Sequence, residues 1–171
     1  MSIQKLSENG QKEHVLTGDL YYSRMILVPG TSKDLLVIGG SKDLESDQVS
    51  NQVVCVRSKD DILLKKELTT PRSKIGLAIG RVQDHYATKN FIFAVGGQES
   101  SKKASKAVER YHVRANVWQQ MPALNEARAE AAALVLGDSL YVFGGLTVCP
   151  SGSMTPLKSI ERLYLKNNSS A

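Results

Sequence analysis

Disulfide scaffolding, zinc binding and membrane spanning all lack their raw material in this sequence. Two cysteines, Cys55 and Cys149, occur in 171 residues, and neither belongs to a CxxC pair. Two thiols cannot frame a disulfide-rich fold. The three histidines, His14, His85 and His112, are far apart and lack the spacing of a zinc or copper set. The N-terminus, MSIQKLSENGQKEH, is polar and has no secretory apolar core, and no apolar run approaches the roughly 20 residues that cross a bilayer. A reducing, cytoplasmic setting is the expectation. No P-loop, GxGxxG or nucleophile elbow is present. The balance of 22 basic and 17 acidic residues leaves a net charge of +5, too small and too scattered to argue for nucleic acid.

The sequence does contain a repeat. Three apolar runs end in a glycine pair: Leu35–Ile38 before Gly39-Gly40, Phe91–Val95 before Gly96-Gly97, and Leu140–Phe143 before Gly144-Gly145. A second apolar run lies upstream of each: Met25–Val28, Ile75–Ile79 and Ala131–Leu136. Turn residues separate the two runs in the outer units, Pro29-Gly30 and Gly137-Asp138-Ser139, while the middle unit carries a longer insert over Arg81–Asn90. Downstream of each pair comes a third run. Val108-Glu109-Arg110-Tyr111 matches Ile160-Glu161-Arg162-Leu163, and Val53–Val56 takes that place in the first unit. A fourth run follows near Trp118 and, more weakly, near Ile62–Leu64. Short, Gly-bounded apolar runs of this kind read as strands buried on both faces, each unit being a four-stranded sheet. Asn125–Leu136 is helical by composition, and the repeat alignment overrides that propensity.

These residues resemble the kelch repeat. Its marks are a glycine pair closing the second strand, then a tyrosine and a tryptophan about seven residues apart. The second unit has the full set, Gly96, Gly97, Tyr111 and Trp118. The outer units keep Gly39, Gly40, Gly144 and Gly145, with Cys55 or Val54 and then Leu163 in the tyrosine slot. The resemblance implies an all-β fold of about three kelch-type β-propeller blades, an incomplete ring. The expected division is a lone fourth strand over 14–24, repeats over 25–72, 73–128 and 129–165 (the last without its fourth strand), and a flexible tail at 166–171. Tyr111 and Trp118 are expected to be architecture, wedged between blades. Three blades curve too tightly to close alone, so the ring is completed by a larger assembly or by a two-fold homodimer of six blades.

Fold does not set function. The resemblance implies a non-enzymatic protein-interaction module that holds no cofactor or metal and touches neither nucleic acid nor membrane. Two alternatives stand beside it, a fragment of a ubiquitin-ligase substrate adaptor and a degenerate sugar-active enzyme. Recognition is expected on the rim loops. The candidates are the basic loop of Lys102, Lys103 and Lys106, and the residues Arg24, Arg72, Lys74 and Arg128 near the fourth-to-first strand connections, which would take an acidic peptide segment. The alternative for the arginines is that they cap strand ends, pairing with carbonyls or acidic neighbours.

Overall fold

A computed structural model describes residues 3–6, 12–16, 21–31, 33–42, 48–58, 61–83, 88–100, 103–149 and 151–165. Every regular element among them is a strand. A two-stranded hairpin comes first, β1 (Ile3–Leu6) with β2 (Lys12–Leu16). Blade 1 is β3 (Arg24–Leu27), β4 (Leu35–Ser41), β5 (Val49–Val56) and β6 (Ile62–Leu64), antiparallel and in chain order. Blade 2 holds β7 (Gly76–Gln83) and β8 (Thr88–Val95), then a rim hairpin of β9 (Gln98–Ser100) and β10 (Lys103–Ala104), then β11 (Val108–His112) and β12 (Val117–Gln120). Blade 3 follows the same plan with β13 (Ala132–Leu136), β14 (Ser139–Phe143), a rim hairpin of β15 (Leu146–Val148) and β16 (Met154–Pro156), and β17 (Ile160–Tyr164). Among the described residues its sheet has three strands, with β17 at one side.

First strands pack on first strands: β7 touches β3 on one side and β13 on the other. Alternate residues of each blade therefore enter alternate cores. Leu36, Ile38, Val53 and Cys55 of blade 1 meet Ile92, Ala94 and Tyr111 of blade 2. Phe91, Phe93, Val95 and Val108, on the other face of blade 2, meet Leu140, Val142 and Leu165 of blade 3. Ile92, Phe93, Ala94 and Val95 are all fully buried, which explains an apolar run with no polar alternation. Asn125 to Ala131 is irregular and β13 starts at Ala132, so the repeat, not the helical composition, describes this segment.

The glycine pairs have a steric cause. Gly39 and Gly96 have φ of 61° and 57°, and a Cβ on either would sit far inside contact with the carbonyl oxygen of Arg72 or Arg128, which passes alongside. The adjacent amides use those carbonyls: Gly40 N–H donates to Arg72 O at 3.0 Å and Gly97 N–H to Arg128 O at 2.8 Å.

Two expectations of register change. Tyr21 bridges Ser41 as Ser73 bridges Gln98 and Ala129 bridges Leu146. Tyr22, Lys74 and Glu130 then take positive φ of 56°, 52° and 56°. Tyr22 is thus the counterpart of Lys74 and Glu130, and the first-unit match to Arg72 and Arg128 is Leu20, four residues before Arg24. Arg24 pairs with Ile38 at the start of β3, level with Gly76 and Ala132. The strand expected to stand alone over 14–24 also differs, because His14 pairs with Gln4 inside the β1–β2 hairpin. Residues 17–20 and the tail at 166–171 lie outside the described residues. In blade 1 the tyrosine slot belongs to Val56, which pairs with Leu35 as Tyr111 pairs with Ile92.

Candidate functional site

Arg72 and Arg128, expected on an open rim, are the largest fully buried side chains of the molecule. The Arg72 Nη1 donates to Gly96 O at 2.6 Å and to Ala107 O at 2.8 Å, and its Nη2 donates to Glu109 Oε1 at 2.8 Å. Glu109 also accepts from the amides of Thr69 at 2.8 Å and Thr70 at 3.3 Å. Blade 3 repeats the device. Arg128 Nη1 donates to Gly144 O at 2.8 Å, and Nη2 donates to Glu161 Oε1 at 2.7 Å while Glu161 accepts from the amides of Asn125 and Glu126. Each clamp ties the connector that leaves one blade to the third strand of the next. Two charges removed from water are tolerable only with such dense hydrogen bonding, in which Arg72 uses all three nitrogens and Arg128 both Nη atoms, its buried Nε being without a partner among the described residues. Burial pushes the Arg72 guanidinium down from its ordinary value, against the pull of Glu109. Burial alone would raise the Glu161 carboxyl, but the two amides and Arg128 outweigh it and hold the group below its usual range. These arginines have no fork left for a ligand.

The signal for the clamp was in the sequence as the glutamate shared by Val108-Glu109-Arg110 and Ile160-Glu161-Arg162, which sequence reasoning left unassigned. Blade 1 carries the complementary exchange. Val54, paired with Val37, holds the place of Glu109 and Glu161, and Leu20 holds the place of the arginines in sequence. Both members of the ion pair are replaced by apolar residues together, an exchange that costs little when both charges leave at once.

Tyr111 and Trp118 sit at the junction between blades 1 and 2. Their rings lie 5.0 Å apart, and Trp118 Nε1–H donates to Lys66 O at 2.9 Å across the junction with blade 1. The Tyr111 hydroxyl donates to Asn116 Oδ1 at 2.7 Å, and burial, with a smaller contribution from Cys55, pushes it up to about 12. His112 packs edge-on against Phe91 and accepts from the Ala115 amide, His14 lies in β2, and His85 is outside the described residues. Among the described residues no group of His, Cys, Asp and Glu could hold a metal ion.

Three features remain available on the rim. Lys74 lies 4.6 Å from the Tyr22 ring centroid and 3.5 Å from Glu130 Oε1, so the three positive-φ residues form one polar row across the blades. Arg24 is half-buried at the start of β3, apart from this row. The third feature is a groove of about 460 Å³ between the β9–β10 hairpin and the connector that follows β12. Ala104, Ala107, Val108, Met121, Ala123 and Ala127 line it together with Gln120, the buried Glu109 and the charged Lys103, Lys106 and Glu99. Lys103 pairs with Glu99, which also accepts from Ser105 Oγ at 2.7 Å. Burial would raise the Glu99 carboxyl, yet Lys103 and Ser105 hold it below its ordinary value. Lys106 is exposed, and Lys102 lies outside the described residues.

The open sheet faces at either end were expected in kind but not by residue. Leu134, Leu136, Ile160 and Tyr164 are exposed on the far face of blade 3, and Met25, Leu27 and Leu64 on the far face of blade 1.

Comparison with known proteins agrees with this architecture. The family model described as Kelch motif matches residues 127–169. Human Kelch-like protein 38 is 31% identical over 83 residues, which is 48% of this chain and 14% of that protein. The kelch repeat protein M-T8 of myxoma virus is 34% identical over 56 residues, 33% of this chain and 11% of that protein. The chain thus spans about one seventh of the human relative's length. A solved fungal alcohol oxidase of the AA5 family, in complex with copper, superposes with a TM-score of 0.65 over 82% of this chain and 31% of its own, at 12% identity, a likeness of fold alone. The repeated glycine pairs and these partial matches make the chain similar to kelch-repeat proteins, with the Kelch motif itself matched over residues 127–169.

Proposed function

We propose that this chain is a non-enzymatic protein-interaction module that works through its blade rim. The groove beside Lys103 and Lys106 is the observation that carries the reading. It combines a lining rich in small apolar side chains with Lys103 and Lys106, and it lies between a rim hairpin and the connector that Arg128 ties to β17. A segment of extended chain bearing carboxylates and small apolar residues fits that lining. Lys74, on the polar row nearby, adds a further cation. The buried arginines contribute rigidity in place of contacts. A cytoplasmic partner is in keeping with two unpaired thiols. The ring itself is completed by self-association or by a larger assembly, because both end faces are apolar. The partial match to human Kelch-like protein 38 supports a second reading, in which this chain corresponds to part of a kelch-type ubiquitin-ligase substrate adaptor.

The test uses a fluorescein-labelled peptide of alternating glutamate and alanine, read by anisotropy. Lys103→Glu with Lys106→Glu is expected to weaken binding at least tenfold, and added salt to weaken it in the wild type. Affinity unchanged by both would remove the groove from consideration.

A further inference from the structure

The far face of blade 3 shows what it is built to receive. In blades 1 and 2 the glycine pair faces the carbonyl of a connector, Arg72 O or Arg128 O. At the corresponding Gly144 the nearest atom to a built Cβ is Leu157 O at 3.3 Å, within the blade's own rim hairpin. Among the described residues Gly145 N–H meets no connector either, although Gly40 and Gly97 both do. Among the described residues no connector occupies the slot next to β17, the last strand of its sheet.

The segment at Tyr21-Tyr22 also has the form of a connector end. Tyr21 and Tyr22 reproduce the bridge and the positive φ of Ser73-Lys74 and Ala129-Glu130. In each internal junction, the amide of this positive-φ residue donates to its counterpart one blade back, Lys74 to Tyr22 O and Glu130 to Lys74 O, both at 2.9 Å. A chain entering the blade 3 slot in the same manner would bring the far face of a second copy's blade 1 against the far face of blade 3. Both surfaces suit it. Blade 1 offers Met25, Leu27 and Leu64 around the buried Val37 and Val54, and blade 3 offers Leu134, Leu136, Ile160 and Tyr164. The face of blade 1 lacks the buried glutamate of the internal junctions, so no arginine is called for.

We infer that the far face of blade 3 docks the blade 1 face of a second copy, head to tail, so that two copies close through two identical junctions. This rests on the self-association reading above and names the surfaces that carry it. Closure by two heterologous contacts gives a two-fold pair, whereas a rotation that failed to close would give open chains.

The experiment measures mass by sedimentation equilibrium across a concentration series, with circular dichroism to confirm folding. Wild type is expected at twice the 18.7 kDa chain mass. Leu27→Glu with Leu64→Glu, and separately Leu136→Lys with Ile160→Lys, change exposed positions and are each expected to give folded monomers. Mixed in equal amounts, the two variants place glutamates opposite lysines at one junction and keep the wild-type junction at the other, so the two-chain mass should return. Wild type that stays monomeric would overturn both self-association and this pairing. A wild-type dimer that survives either variant, or variants that stay monomeric when mixed, would leave self-association standing and overturn the assignment of faces. Mass growing beyond two chains would overturn the closed pair.

Discussion

Arg72→Leu leaves Glu109 as a carboxylate with 1% of its side chain exposed and no cation within reach. Breaking one side of a buried ion pair costs about 3–5 kcal/mol. Glu109→Val strands the guanidinium in turn and frees the amides of Thr69 and Thr70, though Arg72 keeps the carbonyls of Gly96 and Ala107. Its cost falls toward the lower end, about 3 kcal/mol. The double variant copies the apolar exchange present in the first unit. It loses the same neutral hydrogen bonds, at about 1 kcal/mol each, but buries no lone charge. Its total is about 3–4 kcal/mol, well below the roughly 6–8 kcal/mol of the two single changes added, so the coupling between the two residues is about 2–5 kcal/mol. Urea unfolding followed by tryptophan fluorescence measures this directly, since Trp118 lies at the same blade junction. With a slope of about 2 kcal/mol per molar, each single change lowers the midpoint by roughly 1.5–2.5 M. Additive single effects, or an Arg72→Leu cost under about 1 kcal/mol as for an exposed pair, would refute the clamp.

The glycines separate in the same assay. Gly96→Ala forces a left-handed alanine into the Arg128 carbonyl and is expected to cost well over the ~1–2 kcal/mol of the backbone conformation alone, whereas Gly144→Ala costs about that amount. Equal losses at the two sites would contradict the open slot beside blade 3. Acid stability reports on Glu161. Its pKa is depressed in the fold, so the stabilisation it provides is complete above the ordinary carboxylate pKa and fades as pH falls through the lower folded value. Glu161→Gln should flatten that part of the stability-against-pH curve below about pH 4.5, and an unaltered acid limb would count against the clamp in blade 3.

Much of the fold was legible because the repeat is written in backbone constraints. A glycine pair that must accept a passing carbonyl recurs wherever a connector passes, and Gly39 and Gly96 mark two such points. Runs such as Phe91–Val95 advertise burial on both faces by their lack of polar residues. Register across the first connector was not legible, because Leu20 gives no hint that it replaces an arginine. Arg24 is the first arginine of the sequence, and the bridges at Tyr21, Ser73 and Ala129 place it four residues past the position of Arg72 and Arg128. The arginines were misplaced on the rim for a related reason. A lone basic residue in a connector looks solvent-facing until the glutamate nearly 40 residues downstream, Glu109, is seen to meet it. The β1–β2 hairpin carries no repeat signature and depends on local pairing that periodicity does not encode. The groove by Lys103 and Lys106 is assembled from the rim hairpin and a connector some 20 residues later, so its lysines were visible in sequence while its apolar lining was not.

The most direct test of the incomplete ring is amide hydrogen exchange of β17 as protein concentration rises. Among the described residues its outward-facing amides have no fourth-strand neighbour. Protection of Ile160–Tyr164 that grows with concentration, while β8 stays slow throughout, is the predicted result. Exchange in β17 that is equally fast at every concentration, or equally slow at the lowest, would contradict an edge filled by a second copy.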